Sequence, residues 1–234
     1  MIENLNFETY LLLSPKKLSI NVYEKDNLKN LYFKENLNYN SSNKLDLNLV
    51  DQFLKDNIFE IEKILKNFFK NIYLIIESDK FLTVRISVKK NNYGELIKKE
   101  NIIHLLYEAK DECKTTIENE KIIHMVIDNY LIDRKNYSLL PRDIKCKFLS
   151  TNIRFICLSN TFIKEIEKIL KKYQIAINHI LELGYVKEFA DKIKEDPFKM
   201  SAKLINGYNE NEILIVPKIS KNKGFFQRFF DFFN

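Results

Sequence analysis

The chain has 234 residues and a mass of 28.0 kDa, with 45% hydrophobic, 30% charged and 13% aromatic residues. That is apolar material for one large or two small packed domains, and it excludes a disordered chain, which lacks the apolar surface to offset its ordering entropy. Lys and Arg outnumber Asp and Glu by 38 to 32, a net +6 that falls short of the charge of a dedicated nucleic-acid binder. In chain order, Thr9–Leu13 reads as a buried strand. Lys17–Tyr23 alternates Leu18, Ile20 and Val22 against Ser19, Asn21 and Tyr23, the period-two pattern of a half-buried strand, with Ser14-Pro15-Lys16 turning between the two. Asn30–Lys34 is a third strand, and Asn36–Lys44 is a polar loop. The period then changes: Leu49, Val50, Phe53, Leu54, Ile58, Ile61, Leu65, Phe68 and Phe69 recur three and four apart and predict a helix over Leu47–Phe69. Ile72–Ile76 follows as a continuous apolar strand of the type covered on both faces.

A second unit begins near Lys80. Phe81–Val88 alternates as a strand that turns at Asn91-Asn92-Tyr93-Gly94, and Ile97–Cys113 has helical spacing. Ile122–Ile127 and Tyr130–Ile132 read as strands with a bulge or tight turn at Asp128-Asn129. Ile144–Leu149 and Ile153–Leu158 read as two more, joined by Ser150-Thr151-Asn152. Ser159 or Asn160 is placed to cap a helix over Phe162–Tyr173. Ile175–Leu183 is strand and Tyr185–Lys194 a short helix; Met200–Ile205 and Ile213–Val216 are short apolar pieces.

The residues that carry chemistry are sparse. The four glycines, Gly94, Gly184, Gly207 and Gly224, are too far apart to write any glycine-rich phosphate loop. His104, His124 and His179 have no neighbours at metal-ligand spacing, and His124 between Ile123 and Met125 reads as a hydrogen-bonded core imidazole. Cys113, Cys146 and Cys157 form an odd trio, which implies a reducing, cytosolic compartment, and Cys157 in its apolar run reads as a small buried hydrophobe. The carboxylate pairs Asp111/Glu112, Glu118/Glu120 and Glu195/Asp196 fall at helix ends or in loops, so no catalytic group, cofactor site or metal site is expected. No apolar run approaches the ~20 residues of a membrane-spanning helix, and the first residues do not read as a signal peptide.

The segment with the sharpest pattern is the last. Wound as a helix, Phe225, Phe226, Phe229, Phe230, Phe232 and Phe233 share an arc of about 160°, while Gln227, Arg228, Asp231 and Asn234 take the other side. A basic linker with Lys218, Lys221 and Lys223 precedes it. Together these residues predict an interfacial anchor on anionic lipid, with the phenylalanines in the acyl boundary and Lys218, Lys221, Lys223 and Arg228 against headgroups. A helix packed back on the body and a helix for a partner's groove are the alternatives.

The order of elements resembles the bacterial cell-division protein FtsA family, which is actin-like with an inserted SHS2-type domain. Thr9–Phe33, the helix Leu47–Phe69 and the strand at Ile72–Glu77 resemble the family's first subdomain. Ile122-Ile-His-Met-Val-Ile-Asp-Asn-Tyr-Leu-Ile-Asp133 resembles the strand passage of its insert, with His124 as the matching histidine. Leu13-Ser-Pro-Lys-Lys17 stands where the family has its first phosphate loop, the second loop has no counterpart, and about 40 residues after Lys194 leave no room for a second lobe. The resemblance therefore implies an α/β (α+β) fold: a partial actin-like, ribonuclease-H-like subdomain (residues 1–79 and 175–216), an SHS2-type insert (80–174), a basic linker (217–223) and an amphipathic helix (224–234). It implies a reduced form that binds no ATP and works as a non-catalytic scaffold on the inner face of the cytoplasmic membrane. Its partners would be other division proteins or further copies of itself, and no nucleic acid. A PilM-like assembly factor for pili or secretion is the alternative, and a small nucleic-acid-binding protein the alternative from another class.

Overall fold

A computed structural model describes residues 6–213 except 26, 38–43 and 142. The described residues divide into two compact units. One runs through Phe81 and resumes over Leu158–Tyr208; the other comprises Leu82–Cys157 and the segment from Asn209.

The first unit is built on β1 (Phe7–Leu13), β2 (Lys17–Glu24), β3 (Asn30–Leu37), β4 (Asn71–Ile76) and β9 (Ala176–Glu182), in the sheet order β3-β2-β1-β4-β9. β1 and β2 form a hairpin from Leu13↔Leu18 to Phe7↔Glu24, β3 adds antiparallel to β2, and β4 and β9 continue parallel to β1. Helix α1 (Leu47–Leu65) is started by the Asp46 carboxylate, which accepts the Asn48 N–H at 2.9 Å. It ends at Leu65, four residues before the expected end at Phe69, because Lys66 takes a left-handed φ of 51°. Helices α3 (Asn160–Lys171), α4 (Leu183–Ile193) and α5 (Pro197–Ile205) complete the unit.

The sheet is covered on both faces. On β3, Tyr32 donates to Asn57 of α1 at 2.6 Å, while its neighbour Phe33 meets Phe198 of α5 edge-on at 6.4 Å. Successive strand residues point to opposite faces, so α1 and α5 lie on opposite sides. This corrects the expectation for β2: Ser19 and Asn21, the polar half of its alternation, are as buried as Leu18 and Ile20. The core is Leu11, Leu13, Ile20, Leu74, Ile75 and Ile76, all fully buried.

The second unit is a four-stranded sheet in the order β5-β8-β6-β7 under helix α2 (Lys99–Thr116). Ile102, Leu105, Leu106, Ala109 and Cys113 of α2 pack on Met125, Ile127, Leu149, Phe155 and Cys157. Two expected turns are continuous strand, and a third strand runs through Asp128-Asn129, where the sequence predicts a bulge or tight turn. β5 (Phe81–Leu96) runs through the expected turn, with Tyr93 (φ 52°) and Gly94 (φ 82°) kinking it locally. β8 (Lys145–Ser159) runs through Ser150-Thr151-Asn152, because Leu149, Thr151, Ile153 and Phe155 keep alternating inward. β6 (Glu120–Ile132) is one strand whose inward set shifts from Met125 and Ile127 to Tyr130 and Ile132, an odd-to-even change that needs an extra residue near Asp128-Asn129. β7 (Lys135–Tyr137) is an unforeseen hairpin partner, reached through Asp133 (φ 43°) and Arg134 (φ 71°).

Two boundaries also differ. Helix α3 groups with the first unit and not with the insert, and residues 209–213 group with the second unit and not with a return segment. Ser159 stands at the N-cap of α3, but its side chain makes no capping bond there.

Candidate functional site

In sheets with parallel strands, ligands favour the crevice at the carboxyl ends. Here that edge collects Ser14 after β1, Glu77 after β4 and Glu182 at the end of β9. The Ser14 hydroxyl donates to Glu77 Oε2 at 2.6 Å and accepts the Lys16 N–H at 3.3 Å. Around it the turn closes with Ser14 N–H to the Lys17 carbonyl at 2.9 Å and its reciprocal at 3.2 Å. The Glu77 N–H is held by the Leu13 carbonyl at 2.8 Å.

Glu182 turns back onto the start of α4, where its carboxylate accepts the Gly184 N–H at 2.8 Å and the Tyr185 N–H. A helix N-terminus carries unpaired N–H groups and a partial positive charge, the usual seat of a phosphate. In this chain its own carboxylate takes that seat. Gly184 permits the approach, since a Cβ there would stand 2.8 Å and 2.9 Å from the two carboxylate oxygens. At this edge Ser14, Glu77 and Glu182 each hydrogen-bond within the chain.

The amino ends of the same strands are different. Phe7, Glu8, Thr9, Lys25, Asn67, Phe68, Lys70, Asn71, Tyr73 and Asn178 line a depression of about 410 Å³. Glu8 lies beneath stacked rings: Tyr10 and Tyr73 are 4.9 Å apart and donate to Glu8 at 2.7 Å and 3.5 Å. Burial, then the Glu8 hydrogen bond, holds the Tyr10 hydroxyl well above the ordinary tyrosine range. Tyr23, edge-on to Tyr10, is pushed up to about 12 by burial and the nearby Asp196. The Thr9 hydroxyl is buried and meets no hydrogen-bond partner among the described residues, and Phe68 beside it is 73% exposed.

Of the histidines, His104 is exposed on α2, 3.8 Å from Glu108. His124 is buried, with Nδ1 2.7 Å from Glu212 Oε1, in the core role expected of it. Cys113, Cys146 and Cys157 are free and buried; burial pushes the Cys157 thiol up to about 12, far from nucleophilic. Among the described residues no cluster of three or more His, Cys, Asp or Glu could hold a metal, and no helix is long and apolar enough to cross a membrane.

No protein-family model matches the sequence, and no curated protein is significantly similar to it. Solved structures give likenesses of low TM-score. A PilM–PilN type IV pilus biogenesis complex is 7% identical, covering 80% of this chain and 50% of that one, with a TM-score of 0.46. The cytoplasmic domain of EpsL, an inner-membrane component of the type II secretion system of Vibrio cholerae, is 5% identical over 77% of this chain and 58% of that one, TM-score 0.39. A Bacteroides thetaiotaomicron protein of actin-like ATPase fold and unknown function is 18% identical over 82% and 60%, TM-score 0.34. The chain spans between half and three-fifths of the length of these structures. At such identities and TM-scores the likeness assigns no activity or partner. The described residues form a mixed α/β protein, and the FtsA resemblance finds no match among these three.

The expected membrane-binding residues, Lys218, Lys221, Lys223, Phe225, Phe226, Arg228, Phe229, Phe230, Phe232 and Phe233, lie outside the described residues. Sequence reasoning missed Glu182 as a cap. The signal was present, since a carboxylate two residues before a glycine at the start of a helical pattern is a capping arrangement. It missed Thr9 altogether, because nothing in Glu8-Thr9-Tyr10 foretells which face leaves a hydroxyl without a partner.

Proposed function

We propose that the protein is a non-catalytic adaptor of a membrane-associated bacterial assembly, acting by protein–protein contacts and held to anionic lipid by its C-terminal segment. One observation carries the non-catalytic part: the Glu182 carboxylate occupies the α4 N-terminus, and Ser14 and Glu77 bond to each other where an actin-like protein would hold nucleotide phosphates. An anionic phosphate would have to displace a carboxylate already paired with two N–H groups. The tail's six-phenylalanine arc behind three lysines supports the lipid anchor. The resemblance to FtsA makes cell division the assembly, and self-association or other division proteins the contacts. A PilM-like role in pilus or secretion assembly uses the same chemistry and differs in its partners.

Two measurements on the full chain test this. Anisotropy of a fluorescent ATP analogue with Mg²⁺ is expected to show no saturable binding; saturable binding that unlabelled ATP displaces would overturn the non-catalytic adaptor. Sedimentation with anionic liposomes is expected to carry down the full chain, less so at high salt, and not a chain ending at Lys223. Equal behaviour of the two would remove the anchor. Crosslinking in cells then separates division partners from pilus or secretion partners.

A further inference from the structure

Helix α2 packs on one face of the second unit's sheet, and the other face carries side chains of a different kind. Val84, Ile86 and Val88 of β5 turn to the core, so Arg85, Ser87 and Lys89 turn away from it. Contacts across the strands order that outer face in rows. Arg85 Nε and Arg154 Nε of β8 approach the Asp128 carboxylate of β6 at 4.0 Å and 3.2 Å. Next to them Ser87 donates to Asn152 at 2.5 Å, and Asn152 donates to Asn129 at 2.7 Å. Beyond that row Lys89 Nζ stands 4.5 Å over the Phe148 ring. The Arg85 side chain is 71% exposed, and Lys89 and Phe148 are exposed beside it. One carboxylate is thus shared by two guanidinium groups, while Lys89 is seated on a ring. The face carries more cation than anion.

We propose that this face is the docking surface for an acidic, extended segment of a partner protein, whose carboxylates pair with Arg85 and Lys89. It supplies the adaptor with its contact surface and rests on that reading. Arg85 and Lys89 stand about 13 Å apart along β5, the span between carboxylates four residues apart in an extended segment. Arg85 offers a planar fork of donors, the geometry that matches a carboxylate. Lys89 is held in place by the ring beneath it, so less freedom is lost when it pairs. The row of Ser87, Asn152 and Asn129 between them is polar and hydrogen-bonded across three strands, which keeps the two cations at a fixed spacing. Nucleic acid fits the same charge less well. Unpaired bases stack on successive open aromatic faces, and here Lys89 already lies over the Phe148 ring. Exposed ion pairs are individually weak, so the docking depends on several at once and fades with salt.

Anisotropy of a fluorescein-labelled decapeptide of alternating glutamate and threonine, titrated with the full chain, tests this. Saturable binding is expected at low salt and weaker binding as salt rises. The double variant Arg85→Glu/Lys89→Glu is expected to bind about tenfold more weakly, since it sets like charges against the peptide. Lys55→Glu/Lys63→Glu makes the same charge change at exposed positions of α1 and is expected to alter binding by less than about twofold. A cooperative urea transition in each variant reports that it is folded. Absence of saturable binding up to about 1 mM chain overturns the proposal. Equal weakening by the two double variants also overturns it, because overall charge and not this face would then hold the peptide. So does a thymidine decanucleotide that binds more tightly than the peptide and is lost in Arg85→Glu/Lys89→Glu, which would assign the face to nucleic acid. ATP binding and liposome sedimentation are separate readouts. A failed peptide titration with those results as expected strikes this surface and leaves the adaptor.

Discussion

The two ends of one sheet in the first unit solve the same problem in opposite ways. At the carboxyl edge, Ser14, Glu77 and Glu182 present polar groups, and each is matched within the chain: hydroxyl to carboxylate, carboxylate to helix N–H groups. At the amino edge, Tyr10 and Tyr73 are matched to Glu8, yet the buried Thr9 hydroxyl has no partner among the described residues and Phe68 stands in solvent. A satisfied polar set rigidifies a fold. An unsatisfied buried group costs stability until something reaches it. Position in the sheet alone would have favoured the carboxyl edge as the working site. Hydrogen-bond accounting finds Ser14, Glu77 and Glu182 each bonded within the chain.

The sharpest way to break the comparison is at Glu182. Glu182→Ala strips the cap from two N–H groups of α4 and is expected to cost about 2 kcal/mol, read as a lower urea midpoint with unchanged slope. Glu182→Gln keeps an acceptor but loses the charge facing the helix dipole, and should recover part of that loss. If Glu182→Ala unfolds at the parent midpoint, the edge is not held by its own carboxylate and the phosphate seat is open.

How much of this was legible beforehand differs between the units for a physical reason. Strands β1, β2 and β4 and helix α1 announce themselves because long apolar runs and a clean change of period outweigh local detail. In the second unit the sequence predicts breaks at Asn91–Gly94 and at Ser150–Asn152, where turn-forming residues sit inside continuous strands. There the decision belongs to the neighbouring strand: Thr151 is fully buried between Leu149 and Ile153. Turn propensity is a property of four residues, and a sheet outvotes it. The β6–β7 hairpin was missed because Asp133-Arg134 takes two positive φ angles without the Asn-Gly or Asp-Gly signature. The hydrogen bonds that define the two edges join residues tens of positions apart, as Ser14 to Glu77, and no local pattern reports them.

A smaller effect is expected at Ser14. Ser14→Ala removes one charge-assisted hydrogen bond at a partly buried position, and Glu77 can turn to water, so the loss should be about 1 kcal/mol in the same denaturation experiment. Glu77→Gln retains an acceptor and should cost less than Ser14→Ala. A cost equal to that of Glu182→Ala would mean that the β1–β2 turn, and not the α4 cap, organises the edge.

The smallest effect carries the opposite sign. Thr9→Val replaces the partnerless hydroxyl with a methyl of nearly the same shape, in a side chain that is 1% exposed. Elsewhere such a swap breaks a hydrogen bond and destabilises. Here there is no bond among the described residues to break, and the desolvation cost of the hydroxyl disappears, so a gain of roughly 0.5 kcal/mol is expected in the isolated protein. A loss instead would show that Thr9 already has a partner, from water in the depression or from residues outside those described, and the amino edge would be as self-contained as the carboxyl edge. A gain would leave the two ends as unlike as their hydrogen bonds make them, one complete and the other able to accept a donor or acceptor from outside.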